Sequence, residues 1–187
     1  MSQGILFILK FAVQICVGLL LVRLLLQLVK ADFYNPISQL VFKLCAPVVE
    51  PLRKVFPTIG SFNIAALVAA LLIQWSFYLL LQLLSGVFPT ALLSYLAVAA
   101  FDLLKALVSI YFWGIFILVI SSWVGTTNHP TVRLVNQIID PYMRPFRHLI
   151  PPIGMIDISP MVAIFTLIVI EAQLFPAIAR LLQGLFN

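Results

Sequence analysis

Charge is what this sequence has least of. Eleven Lys and Arg and six Asp and Glu make up 9% of its 187 residues, against roughly a quarter in an ordinary soluble domain. A domain of this size needs polar cover that so few charges cannot give, which argues against a soluble helical protein with a buried core. Cysteine is also scarce. Cys16 and Cys45 form no disulfide framework, and both sit in apolar stretches where a thiol acts as a small filler. The two histidines, His129 and His148, are 19 apart with no cysteine or carboxylate at ligand spacing, so no metal site is expected. There is no glycine-rich phosphate loop and no set of nucleophile, base and orienting group. The expectation is a protein that is not an enzyme and carries no cofactor. No interleaving of aromatic and basic residues suggests a nucleic-acid groove, so no nucleic acid is expected as a partner.

Apolar residues are what is there, at 63%. Four runs stand out: Ile5–Val29, Ile64–Leu84, Thr90–Trp123 and Met161–Leu182. Each supplies the roughly 20 residues a helix needs to cross a bilayer. The first is expected as a permanent span. Its apolar part is longer than a signal-peptide core, and no small-residue cleavage pattern follows it. The third is longer than one crossing requires. Its start, 90–101, reads as an interfacial lead-in or as an overhang of the same helix, with the crossing itself over 103–123.

The polar loops repeat. An ungapped offset of 94 aligns Pro36 with Pro130. It also carries Pro47, Pro51, Arg53, Pro57, Ile59 and Gly60 onto Pro141, Pro145, Arg147, Pro151, Ile153 and Gly154. The fold class is therefore an all-α membrane protein of four transmembrane helices, built as two parallel tandem repeats. The first repeat is 1–89, with a span at 5–29, an amphipathic loop at 30–63 and a span at 64–84. The second is 90–187, with the lead-in at 90–101, a span at 103–123, a loop at 124–158 and a span at 161–182. An even number of spans separates the copies, so both loops fall on one membrane face.

Within each loop, Asn35-Pro36 and His129-Pro130 look like helix starts, a polar cap followed by proline at the first helical position. Ile37, Leu40, Val41, Leu44 and Cys45 are expected on one face, with Ser38, Gln39 and Lys43 turned away. Val132, Val135, Ile138 and Ile139 repeat the pattern against Arg133, Asn136, Gln137 and Asp140. Such helices suit the headgroup layer. Pro47/Pro51 and Pro141/Pro145 are expected to turn the chain or to start a fresh helical turn. Gly60 and Gly154 then offer bends back toward the membrane. Pro51, Arg53, Pro57 and Gly60, with Pro145, Arg147, Pro151 and Gly154, thus read as two rigid corners. Their arginines lie near lipid phosphates or loop carboxylates. Asp157 and Ser159 are expected to cap the last span.

Orientation follows from basic residues. Seven lie on the loop face (Lys30, Lys43, Arg53, Lys54, Arg133, Arg144 and Arg147) and three on the other (Lys10, Lys105 and Arg180). This places the loops in the cytoplasm and the termini outside. The expected partners are the lipid bilayer, anionic lipid headgroups, and a second copy or another membrane protein.

Asp32-Phe33-Tyr34-Asn35-Pro36-Ile37-Ser38-Gln39 and the two P-x-x-x-P-[LF]-R-x-x-x-P-x-I-G corners resemble the YggT family of bacterial and plastid membrane proteins. The resemblance covers nearly the whole chain. It implies a small protein of the bacterial inner membrane linked to osmotic tolerance and potassium homeostasis, while relatives are linked to division-site or nucleoid organisation. The second copy departs from the first where Thr126-Thr127-Asn128-His129 replaces Asp32-Phe33-Tyr34-Asn35.

Charges inside spans are the informative residues, because an unpaired one costs ~3 kcal/mol or more. Arg23 and Glu171 are expected to pair, with Gln27, Gln74 and Gln173 completing a polar seam. The alternative is that Arg23 snorkels to the headgroups. At the opposite face, Lys10, Asp102 and Lys105 are expected as a shallower cluster in which Asp102 and Lys105 pair locally. Two functions follow from different classes. One is ion transport along a path lined by Arg23, Gln74, Glu171 and Gln173. The other is a scaffold whose basic loops recruit envelope or division-related partners or anionic lipid.

Overall fold

The computed structural model describes residues 3–86, 88, 91–151 and 157–184. The chain forms α1 (Gln3–Leu28), α2 (Pro36–Arg53), a hairpin of β1 (Thr58–Ile59) and β2 (Phe62–Asn63), α3 (Ile64–Leu84), α4 (Leu92–Val124), α5 (Pro130–Leu149) and α6 (Ser159–Val169). A π-helical turn, Ile170–Leu174, leads from α6 into α7 (Phe175–Gln183). Four helical stretches are long and apolar enough to cross a membrane: α1, α3, α4 and the composite Ser159–Leu182. Their outward faces are apolar. Phe7, Leu93 and Leu181 are 69%, 82% and 76% exposed, a surface that suits lipid and not water. From Leu92 the 90–101 segment belongs to α4, as an overhang of the same helix; Thr90 lies outside the described residues.

In lipid the helices gain little from apolar burial and must fit closely instead. Small residues make this fit. Ala65, Ala66, Ala69 and Ala70 of α3 are fully buried in the core that contains Leu20, Leu21 and Leu24 of α1. Gly114 does the same for α4 and α5. A Cβ there would stand 2.4 Å from Ile139 Cδ1 and 2.8 Å from Cγ1, so any larger residue must displace that side chain.

The two loop helices start at the same end of the bundle and touch. Asn35 Nδ2 donates to Pro130 O at 2.8 Å, and the Asp32 N–H donates to Gln137 Oε1 at 3.0 Å. Both helix starts carry their side-chain caps. Asn35 Oδ1 accepts from Ile37 N at 2.9 Å, and His129 Nδ1 accepts from Thr131 N at 3.3 Å.

Two expectations about these helices are corrected. The first concerns proline. Pro47 and Pro51 lie inside α2, and Pro141 and Pro145 inside α5, so the chain does not turn there. Spacing of four puts each pair on one exposed stripe, where the carbonyls left without donors can face a polar environment. The second concerns the faces of α2. Leu40 and Leu44 are exposed, at 55% and 54%, whereas Ser38 is 1% exposed. Ser38 Oγ donates to Asp32 O at 2.8 Å, and that local bond lets the hydroxyl sit inward.

The first corner is the β1–β2 hairpin. Thr58 pairs with Asn63 and Ile59 with Phe62, leaving Gly60 and Ser61 as a two-residue turn. Gly60 adopts φ +60, the conformation such turns reserve for glycine. Asn63 then caps α3, its Oδ1 accepting from Ala66 N at 3.0 Å. In the second copy Asp157 Oδ1 accepts from Ser159 N at 2.9 Å, and Ser159 Oγ donates to Ile150 O at 3.3 Å. Pro151 is exposed, while Ile153 and Gly154 lie outside the described residues.

Candidate functional site

The polar residues of the spans do not form one seam. They divide into two groups at different depths.

The loop-side group is built on Arg23. This side chain is 3% exposed, and its Nη2 lies 2.7 Å from Glu50 Oε1. Nη1 donates to Phe42 O at 3.3 Å, and the guanidinium stacks 5.1 Å over the Phe42 ring. Nε has no partner. Arg53 reaches the other oxygen of Glu50 at 3.1 Å. Hydrogen bonding from Arg23 is the largest influence on the Glu50 carboxyl; burial opposes it, and the charges of Arg53 and Arg23 add to it, so the group is held below its ordinary value. Nearer the loop end in this group, Gln27 Oε1 accepts from Asn63 Nδ2 at 2.8 Å, joining α1 to the cap of α3.

The expected pair of Arg23 with Glu171 is therefore not formed. Arg23 sits about 8 Å from the loop end of α1, whereas Glu171 lies about 18 Å into its span from that end. Glu50, on a helix folded against α1, is nearer. It is the only acid in α2, and that lone carboxylate among basic residues was the available signal. Snorkelling is not the outcome either, since Arg23 is buried on a protein carboxylate.

The second group lines a cavity of about 950 Å³ on the side away from the loops, walled by α1, α3 and α4. Lys10, Gln74, Tyr78, Asp102, Lys105 and Glu171 all face it. Asp102 is its pin. Its Oδ2 accepts from Gln74 Nε2 at 3.1 Å and from the Tyr78 hydroxyl, and its Oδ1 lies 2.5 Å from Lys105 Nζ. Gln74 and Glu171 thus join Lys10, Asp102 and Lys105, and not Arg23. Gln173 is exposed and is not part of this lining. Lys10 and Glu171 have neither an ion pair nor a hydrogen bond among the described residues.

Glu171 stands in the π-helical turn. The Phe175 N–H reaches back to Ile170 O, and Pro176 has no N–H. The Glu171 carbonyl is left without a helical donor. Single π turns of this kind recur at functional positions. A free carboxylate and a free carbonyl on one residue, beside a polar cavity at membrane depth, can take a cation or a proton donor.

At the corners, Arg53 meets Glu50, and Arg147 Nη1 lies 2.9 Å from Asp140 Oδ1, with Nε 3.9 Å from Asp157 Oδ2. Of the two settings expected for these arginines, the geometry is that of loop carboxylates. Arg144 shares Asp140 at 2.7 Å. Cys45 is buried in α2, and burial pushes its thiol up. Cys16 is exposed on α1.

Two hairpins of apolar helices, each with a loop helix at the same end, define a multi-pass membrane protein made of a tandem repeat. The family model for CCB3/YggT matches the chain twice, over residues 2–84 and 97–178. The chain belongs to the CCB3/YggT family. The protein named YggT in Escherichia coli K12 is 33% identical over 181 residues, covering 97% of this chain and 92% of that one. A Pseudomonas aeruginosa protein is 35% identical over 176 residues, 91% and 88% respectively. A Vibrio alginolyticus protein encoded in the proC 3' region is 32% identical over 157 residues, 83% and 85%. No solved structure matches significantly.

Proposed function

We propose that this chain is a non-enzymatic protein of the bacterial inner membrane that acts in ion and osmotic homeostasis, with potassium as the ion. Its loops face the cytoplasm and its termini the outside, in keeping with the seven-to-three distribution of basic residues. One observation carries the reading: Glu171, an unpaired carboxylate deep in a span, with its own carbonyl freed by the π turn, on the wall of a cavity of about 950 Å³ that Lys10, Gln74 and Asp102 also line. A charge kept there without a partner costs enough to need a use. Lys10 lines the same cavity without pairing with Glu171, which leaves the carboxylate open to an entering cation. Potassium flux into liposomes tests this. Flux through wild type and its loss in Glu171→Gln are expected. Equal flux in both, or none above protein-free liposomes, ends the proposal.

A second reading, a scaffold for envelope or division-related partners, is favoured by the exposed apolar stripe of Leu40, Leu44 and Val48 on α2 beside Lys43 and Arg53. In-cell crosslinking of wild type and an Arg53→Ala/Arg147→Ala variant tests it. Neighbours lost from the variant while insertion persists are expected. An identical set of neighbours removes the corners from any scaffolding role.

A further inference from the structure

The two repeats differ at one place in a way that opens a second cavity. A groove of about 720 Å³ lies at the loop end of α4, between α4, α5 and the start of α6. Its apolar wall includes Leu118 and Val119, which are half-buried. Their counterparts at the offset of 94, Leu24 and Leu25, are each 4% exposed in the closed core of the first repeat. The first copy is closed by an aromatic pair: Phe33 and Phe42 pack edge to face with centroids 5.4 Å apart. The second copy has Thr127 and Asn136 at these positions, and both line the groove. Loss of two phenyl rings leaves space that a close-packed interior does not otherwise keep.

The lining is divided by chemistry. Leu118, Val119 and Ile115 lie toward the span, and Arg133 and Arg147 toward the loop. Arg147 is offset by Asp140 and Asp157, whereas Arg133 has no ion pair among the described residues. Trp123 stands at the rim, 85% exposed near the end of α4, where interfacial tryptophans mark the headgroup level. An apolar slot running to an unpaired guanidinium at that level matches a single acyl chain below an anionic headgroup.

We propose that this groove binds one anionic phospholipid, with its phosphate on Arg133 and an acyl chain along Leu118 and Val119. Every lining residue of the groove comes from the second repeat. It names a lipid partner for the scaffold reading, but it does not need that reading to hold, because lipid occupancy and protein recruitment are measured separately.

Trp123 reports on the groove directly. In a background with Trp75→Phe and Trp113→Phe, it is the sole tryptophan. The protein is placed in vesicles of phosphatidylcholine with either phosphatidylglycerol or further phosphatidylcholine brominated on its acyl chains, at equal mole fractions. Brominated phosphatidylglycerol should quench Trp123 at a roughly fivefold lower mole fraction, the preference of one or two exposed charge contacts. Arg133→Gln should remove that preference. Thr127→Phe/Asn136→Phe, which restores the aromatic pair of the first copy, should leave only quenching by bulk lipid. Equal quenching by the two lipids in wild type would overturn the proposal. So would a preference unchanged in Arg133→Gln, a variant at an exposed position whose folding is not at issue. Loss of the preference on adding inorganic phosphate would assign the site to a free anion instead. Quenching by neither lipid would mean that a protein, a second copy included, fills the groove, and would equally refute it.

Discussion

The Arg23–Glu50 pair offers the sharpest energetic test, because one partner is buried and the other is not. Breaking a fully buried ion pair by removing one member costs about 3–5 kcal/mol, whereas an exposed pair is worth less than ~1. Here the side chains are 3% and 50% exposed, so the cost of losing Glu50 lies between these limits. Glu50→Ala removes both the charge and the hydrogen bond and leaves the guanidinium with the Phe42 carbonyl alone; about 3 kcal/mol is expected. Glu50→Gln keeps an acceptor oxygen and loses only the charge; about 1.5 kcal/mol is expected. Arg23→Ile installs the residue type of Ile117, its counterpart in the second copy. The double variant Arg23→Ile/Glu50→Gln should then melt within about 1 kcal/mol of wild type, since an apolar replacement of a buried pair is near neutral. Thermal unfolding in detergent, followed by intrinsic fluorescence, reads these as shifts of about 2–4 °C per kcal/mol. The pH dependence has a definite sign. The folded carboxyl of Glu50 is held below its ordinary value. Its contribution is complete above that value and disappears as pH falls through the depressed one. Wild type should therefore lose more stability than Glu50→Gln on acidification below about pH 4.5. If Glu50→Ala melts with wild type and the two acid profiles coincide, Arg23 is not held by Glu50.

Two further outcomes test the packing. Gly114→Val should cost about 1–3 kcal/mol through its clash with Ile139. The swap Gly114→Leu/Ile139→Cys, which copies the aligned Leu20 and Cys45 of the first repeat, should recover most of that loss; a swap no better than Gly114→Leu alone would show that the two helix pairs pack differently. Lys30 ends α1 with φ 53, while Lys30 N and Ala31 N bond back to Gln27 O and Leu26 O, the bonding that glycine normally completes. Lys30→Gly should raise stability by about 0.5–1 kcal/mol, and a lower melting temperature would contradict that reading.

What the sequence made legible was whatever depends on local chemistry. Apolar runs of bilayer length mark the spans because lipid tolerates little else over 20 residues. Asn35-Pro36 and His129-Pro130 mark helix starts because a cap acts within three residues. The recurring prolines revealed the repeat. What they did to the chain was hidden, because proline breaks a helix only where its lost hydrogen bond cannot be tolerated. The burial pattern of α2 was also hidden, since periodicity groups Leu40 and Leu44 with Val41 and Cys45, whereas the bond from Ser38 to Asp32 O turns the inward face toward Ser38. Depth was the hardest quantity to read. Arg23, Gln74 and Glu171 look like neighbours when counted as intramembrane polar residues. About 10 Å of helix rise between Arg23 and Glu171, together with a loop helix folded onto α1, assigns Arg23 to one cluster and Gln74 and Glu171 to the other.

Duplication explains why both kinds of cluster coexist. A repeat fixes the backbone frame, so the second copy inherits the loop-helix caps and the proline stripes. It does not inherit what fills the frame. The first copy packs Phe33 on Phe42 and buries Arg23 over that ring against Glu50. The second has Thr127, Asn136 and Ile117 at the aromatic and arginine positions and Arg144 in place of Glu50. Its loop helix turns a polar face outward, with Asp140 tying Arg144 and Arg147 together. The loop end of the first repeat is thereby closed over Arg23, and that of the second carries the groove. Asn35 and Asp32 of the first repeat hold Pro130 and Gln137 of the second. Gln137 lines the groove, so the first repeat is bonded directly to its wall.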